Sequence, residues 1–138
     1  MSTIQEVSRR SGLPEPTLRY YEKIGLIGPV DRDESSGHRR YPPELVETIE
    51  ALGCLRSTGM SLADMRVYLR HLDGGDPAEQ RDLFARNVER LDAEIERLRV
   101  RRDYLRLKAE LWDARDRGDA AAEERAADEI RGLLPRLK

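Results

Sequence analysis

The sequence predicts a mainly helical fold: short N-terminal helices around a hairpin wing, then one long helix that needs a partner. Three observations predict it. Helix-start signals recur at Thr3, Pro16, Pro43 and Ser61, and the helices they open are closed by glycines at 12, 25, 59 and 74–75. A polar, turn-rich run from Asp31 to Gly37 is followed by His38-Arg39-Arg40-Tyr41, as in a hairpin with a basic flank. Residues 77–117 hold no interior Gly or Pro and repeat apolar side chains in steps of four and three.

The elements follow in order. Thr3 and Glu6 fit a capping box that opens a helix over 4–11, with Ile4 and Val7 on one face. Pro14 and Pro16 allow a second start, because proline suits the first helical turn, and predict a helix over 16–24. Two short helices joined by a tight turn at Gly12 make a helix-turn-helix. Pro42-Pro43 ends the hairpin and opens a helix over 43–58; Ser61 with Asp64 opens another over 61–72. Gly74-Gly75 marks the clearest boundary. These signals divide the chain into an N-terminal domain over 1–73, a coiled-coil dimerisation helix over 76–117 and a short amphipathic tail helix over 119–138. The tail's stripe is Ala122, Ala126, Ile130, Leu133 and Leu137, and the tail can cap the coiled coil or fold onto the N-terminal domain.

The long helix carries Phe84, Val88, Leu91, Ile95, Leu98, Leu105, Ala109 and Trp112 as one seam, broken only at Arg102. At 1.5 Å per residue such a helix is about 60 Å long. So narrow a seam points to an intermolecular coiled coil, parallel or antiparallel, rather than to a fold-back on its own domain. Trp112 and Tyr104 read as packing within it.

Composition excludes several classes. The chain has 138 residues and a net charge of −2, and the regions 1–43, 44–72 and 73–138 carry +1, −1 and −2. No polybasic block exists, so any nucleic-acid binding rests on a few placed arginines. The low aromatic content, 5%, and the small size disfavour a deep enzyme cleft. No apolar run spans a membrane and the N-terminus has no signal-peptide stretch, which fits a cytoplasmic protein. A single cysteine, Cys54, excludes an intrachain disulfide and a two-cysteine metal site. His38 and His71 read as surface residues, and no nucleophile has a histidine partner nearby, so neither a catalytic site, a metal nor a cofactor is expected.

Candidate contact residues fall in three clusters. Thr17, Arg19, Tyr20 and Tyr21 stand near the start of the second helix of the helix-turn-helix, where such a helix meets base edges and phosphates, with Leu18 and one of the two tyrosines expected in the core in either case. Arg39, Arg40 and Tyr41 on the wing can grip flanking backbone, although a charge pair in a loop is more often only solvated. Arg56 and the Ser61 helix start form the third cluster, since a helix N-terminus offers free N–H groups to phosphate.

The string TLRYYEKIGLI, then GHRRY, then a helix ending LRSTGMSL, then a long helix, resembles the MerR family of bacterial transcription regulators over residues 1–117. The resemblance implies a winged helix-turn-helix domain and a homodimer joined by an antiparallel coiled coil. It also implies a palindromic operator in double-stranded promoter DNA, between promoter elements whose spacer is unusually long. The bound protein distorts this DNA, so RNA polymerase is engaged indirectly, through the promoter. By the same resemblance Thr17, Arg19, Tyr20 and Tyr21 are recognition-helix contacts, Arg40 and Tyr41 belong to the wing, and Arg56 and Ser61 form a second wing-like element.

Cys54 lies about 180° from Leu45 around its helix and so off the stripe Leu45, Ile49, Leu52. Free cysteine is often a packing residue, but Arg56 close by favours a reactive thiolate. The runs LGCLRSTGMSL and GGDPAEQR resemble a branch of the family whose lone cysteine responds to aldehydes, electrophiles or nitrosative stress. Past Leu105 the chain departs from that branch, with Trp112 standing alone where the branch is rich in aromatics. Two rivals share the heptad seam: an effector-independent, excisionase-like architectural protein, and a coiled-coil adaptor that binds no DNA. The TLRYYE block and the wing arginines favour DNA over the adaptor.

Overall fold

The structure, a computed structural model, describes all of residues 1–138. Six helices run in the order α1 (Ile4–Ser11), α2 (Glu15–Lys23), α3 (Pro43–Ser57), α4 (Leu62–Arg70), α5 (Pro77–Arg117) and α6 (Ala120–Leu137). Strands β1 (Asp31–Arg32) and β2 (Arg39–Arg40) sit between α2 and α3 as an antiparallel hairpin, pairing Asp31 with Arg40 and Arg32 with Arg39. The chain forms two compact units, Met1–Phe84 and Ala85–Lys138. Their division falls inside α5, eight residues past its start, rather than at Gly74-Gly75. No helix is long and apolar enough to cross a membrane.

In the first unit, Thr3 caps α1 by accepting the Glu6 amide at 3.2 Å, and Gly12 ends it in the left-handed conformation, φ 76°. The turn into α2 is fixed from both sides of Leu13. Ser8 donates its hydroxyl to the Leu13 carbonyl at 2.6 Å, and the Leu13 amide donates to Ser11 Oγ at 3.1 Å. With Pro14 at the N-cap, α2 begins at Glu15, one residue before the expected start. Leu13 and Leu18 are buried between α1 and α2 in a core shared with Val7, Val46, Ile49 and Leu52.

α1 and α3 approach closely, and Gly53 makes this possible. A Cβ on Gly53 would lie 2.1 Å from the Ser11 carbonyl oxygen, far inside contact distance. Ser61 caps α4 through the Asp64 amide at 3.1 Å. α4 stops at Arg70, before the expected Leu72, and His71 turns its Nδ1 to accept the Asp76 amide at 3.1 Å. The first turns of α5 are held to α4. Gln80 donates to the Tyr68 carbonyl at 2.9 Å, Leu83 is fully buried, and Phe84 meets the Tyr68 ring edge-on at 5.9 Å.

In the second unit, Gly118 (φ 70°) ends α5 and α6 folds back antiparallel along it. Asp119 caps α6 through the Ala122 amide at 3.0 Å, a bond that lowers its own pKa. The expected tail stripe faces α5, with Ala126 and Ile130 buried. In this unit the buried apolar residues of α5 are Val100, Leu107 and Ala114, seven apart and therefore on one line. Arg115–Glu123 and Arg136–Glu96, the latter at 2.8 Å, tie the two ends of this hairpin. The tail thus packs along α5 within its own unit. It covers the face of α5 opposite the heptad seam.

Candidate nucleic-acid interface

A cleft of about 330 Å³ lies between the start of α1, the first turns of α2 and the wing. Thr3, Gln5, Glu15, Arg19, Arg32, His38, Arg39 and Arg40 are among the residues that line it. Its cations come from three separate segments, and the local fold explains each. Pro16 sets the first turn of α2, which projects Arg19 outward one turn above Glu15, 3.7 Å away. Arg32 and Arg39 face each other across the hairpin, and Arg32 donates to the Gly37 carbonyl at 3.1 Å.

The wing tip is built by Asp33. Its carboxylate accepts the amides of Ser35 and Ser36, at 2.9 and 3.2 Å, and the Ser35 hydroxyl at 2.6 Å. The Ser35 hydroxyl, then these amides, hold its pKa at about 2. Arg40 stands 3.5 Å from the same carboxylate. The N-terminus braces the wing: Ser2 and Tyr41 exchange two backbone hydrogen bonds, each 2.9 Å.

The structure sorts the expected contact residues. Arg19 and Tyr20 are exposed, and Thr17 is half-buried beside them on α2. Tyr21 is not a surface residue: it lies one turn after Leu18 on the core face of α2 and is only 4% exposed. Tyr41 is corrected likewise. Its backbone pairs with Ser2, its ring is fully buried, and its hydroxyl has no partner. Burial raises the Tyr41 pKa, against the charges of Arg39, Arg19 and Arg32, while Glu22 acts with burial. Arg39 is held in an ion pair with Glu22 of α2 at 2.7 Å and is mostly covered, so it stiffens the wing. Arg56 and Ser61 are exposed at the α3–α4 turn and are not part of the cleft. The Ser61 hydroxyl is engaged as the cap of α4.

The cleft also takes in residues that the reading of the sequence did not propose as contacts, among them Thr3, Gln5, Arg32 and His38. Thr3 and Gln5 reach the cleft through the long-range pairing of Ser2 with Tyr41. Arg32 carried a usable signal, since a hairpin closed at Gly37 places it opposite Arg39.

Cys54 is exposed on α3, as its position off the core stripe implies. The exposed line on α5 runs through Phe84, Val88, Ile95, Leu98, Leu105 and Trp112, with Leu91 half-buried and Ala109 exposed. Arg115 stacks over the Trp112 ring at 4.6 Å. No group of histidine, cysteine and carboxylate side chains is arranged to hold a metal.

Comparison with known proteins agrees with this architecture. The MerR HTH family of regulatory proteins matches residues 2–72, and the MerR DNA-binding family matches residues 46–108. The HTH-type transcriptional regulator AdhR of Bacillus subtilis is 41% identical over 73 residues, which is 53% of this chain and 51% of AdhR, so the chain spans about half of that relative. HmrR of Rhizobium leguminosarum bv. viciae, also an HTH-type transcriptional regulator, is 33% identical over 127 residues, 91% of this chain and 97% of HmrR. The crystal structure of HiNmlR, a MerR family regulator lacking the sensor domain and bound to promoter DNA, superposes with a TM-score of 0.67 at 30% identity, over 88% of this chain and 94% of HiNmlR. The chain belongs to the MerR family of helix-turn-helix, DNA-binding transcriptional regulators.

Proposed function

We propose that the cleft between α2 and the wing is the surface that docks on promoter DNA, with Arg19 and Tyr20 in the major groove and Arg32, His38 and Arg40 on flanking phosphates. The observation that carries this is the convergence of cations from α2, β1 and β2 on one cleft in a chain of net charge −2. Thr17 and Tyr20 add hydroxyls suited to phosphate oxygens. Arg56, with the N-terminus of α4, serves as a further phosphate contact outside the cleft. The exposed seam of α5 joins two copies, so the DNA site is an inverted repeat. HiNmlR, with 30% identity, was crystallised on promoter DNA, which supports the same target here. Distortion of that DNA by the bound dimer is the means by which RNA polymerase senses the protein.

Regulation in this reading acts through the Cys54 thiol or a small ligand. Support for the thiol is its exposure and its standing as the chain's only one. Induction of a reporter by an electrophile separates the two: loss of induction in Cys54→Ser supports the thiol, and intact induction removes it.

The docking reading is tested by mixing purified protein with fragmented genomic DNA and sequencing what it retains. Enrichment of an inverted repeat between promoter elements is the expected result. Enrichment of sites away from promoters favours an architectural role, and no enrichment over an Ile95→Asp variant favours the adaptor.

A further inference from the structure

Glu15 is the only carboxylate that lines the cleft, among Arg19, Arg32, Arg39, Arg40 and His38. A carboxylate repels phosphate, so on a surface meant for DNA it lowers affinity unless it meets some other group. The other carboxylates near the site are engaged within the fold. Glu22 holds Arg39 at 2.7 Å, and Asp33 accepts two amides and a hydroxyl at the wing tip. The Glu15 side chain has no such task. It forms no cap at the start of α2, and its one charged neighbour is Arg19, at 3.7 Å, beyond hydrogen-bond distance.

The backbone sets where Glu15 stands. It is the first residue of α2, between Pro14 and Pro16, whose rings fix φ on either side of it. Arg19 follows one turn later, so the two side chains are neighbours on the helix surface. The N-terminal residues of a recognition helix are those that meet base edges. The 3.7 Å between the two charged ends is close to the rise of about 3.4 Å between stacked base pairs.

The chemistry of a carboxylate then limits what it can read. Ionised, it only accepts hydrogen bonds. The major groove offers it two donors, cytosine N4 and adenine N6. Adenine N6 stands beside the N7 acceptor, which repels the second carboxylate oxygen, whereas the edge of cytosine carries no acceptor. Arg19 has the opposite character, donors only, and suits O6 and N7 of guanine.

We propose that Glu15 is a base-reading residue, accepting from N4 of a cytosine in the base pair next to the guanine read by Arg19. This rests on the docking of the cleft on DNA and adds a second specified base pair to each half-site. The carboxylate weakens binding to DNA that lacks the cytosine, where it faces acceptors and phosphate alone, and so sharpens the choice of site.

Selection from a library of random duplexes by the full chain tests this, with wild type, Glu15→Gln and Glu15→Ala run side by side and the bound DNA sequenced. Wild type should retain half-sites with cytosine and guanine in neighbouring base pairs. Glutamine pairs with N6 and N7 of adenine, so Glu15→Gln should keep the guanine and exchange the cytosine for adenine. Glu15→Ala should keep the guanine and lose a preference of about tenfold beside it. On the site that wild type selects, replacing the cytosine by thymine, which presents an acceptor and a methyl group, should weaken wild type about tenfold and Glu15→Ala much less. A role confined to the first turn of α2, where an acidic side chain suits the helix dipole, would move stability and overall affinity but not base preference. An unchanged cytosine preference in both variants therefore overturns the proposal. A uniform gain in affinity for every sequence also overturns it, since Glu15 then only repels the backbone. Loss of the guanine in both variants does the same, since Glu15 then only supports Arg19. If wild type selects no sequence at all, the docking reading fails and takes this proposal with it.

Discussion

Arg39 on the wing donates its Nε–H to Glu22 of α2 at 2.7 Å, and both side chains are about four-fifths covered. This bond links α2 to the wing, and it comes from residues 17 apart in sequence. Breaking one partner leaves the other charge partly desolvated. Glu22→Gln should therefore lower stability by about 1–2 kcal/mol, between the values for exposed and buried pairs. It should also weaken operator binding more than a surface change of equal charge such as Glu44→Gln, because the wing loses its brace. A denaturant melt and a gel shift on the same samples check both effects.

Tyr41 supports the wing through its ring and backbone, while its hydroxyl is buried without a partner. An unsatisfied buried hydroxyl is a cost to the fold. Tyr41→Phe should keep or raise stability, by up to about 1 kcal/mol, and preserve DNA binding. A marked loss of DNA affinity with unchanged stability would show that the hydroxyl reaches DNA after all.

Gly53 is the point where α3 crosses the end of α1. An added methyl group would sit 2.1 Å from the Ser11 carbonyl oxygen, and backbone on both sides leaves no flexible atom to yield. Gly53→Ala should cost about 1–3 kcal/mol, as for overpacked cores. Thermal unfolding measures this, and Gly28→Ala, with open space around it, is the control.

The wing tip depends on an ionised Asp33. Its pKa is depressed from 3.8 to about 2, first by the Ser35 hydroxyl and then by the Ser35 and Ser36 amides. A depressed carboxylate contributes its full share above its unfolded pKa and loses it as pH falls through the folded one. The tip should therefore be unchanged from neutral pH down to about 4 and loosen between about 4 and 2. Backbone amide shifts of Ser35 and Ser36 followed by NMR report this, and Asp33→Asn should abolish the transition.

Much of this fold was legible because its signals are local. Gly74-Gly75 and Gly118 bracket α5, and Thr3 and Ser61 announce α1 and α4 through caps that the structure forms. The start of α2 moved by one residue because Pro14, not Pro16, precedes the first turn. The site was less legible, since it depends on non-local contacts. The pairing of Ser2 with Tyr41 turns that tyrosine inward and carries Thr3 and Gln5 to the cleft. Glu22 captures Arg39, which the sequence alone presents as a free cation. Tyr21 is the exception, because its spacing of three from Leu18 is a local signal for the core face of α2, although it was read as a contact. The second stripe of α5, Val100, Leu107 and Ala114, was not read from the sequence, because the heptad seam on the other face already accounts for the helix's apolar spacing.

The most direct test of the central claim is equilibrium binding of wild type, Arg19→Ala and Arg40→Ala to an enriched inverted repeat and to random duplex, across a range of salt. Wild type should prefer the repeat. Arg19→Ala should lose at least tenfold on the repeat and little on random DNA, as expected for a base contact worth about 1–3 kcal/mol. Arg40→Ala should weaken both alike and flatten the salt dependence by about one phosphate contact. Equal affinity of all three proteins for the repeat, with unchanged salt dependence, would contradict the assignment of this cleft as the DNA-binding face.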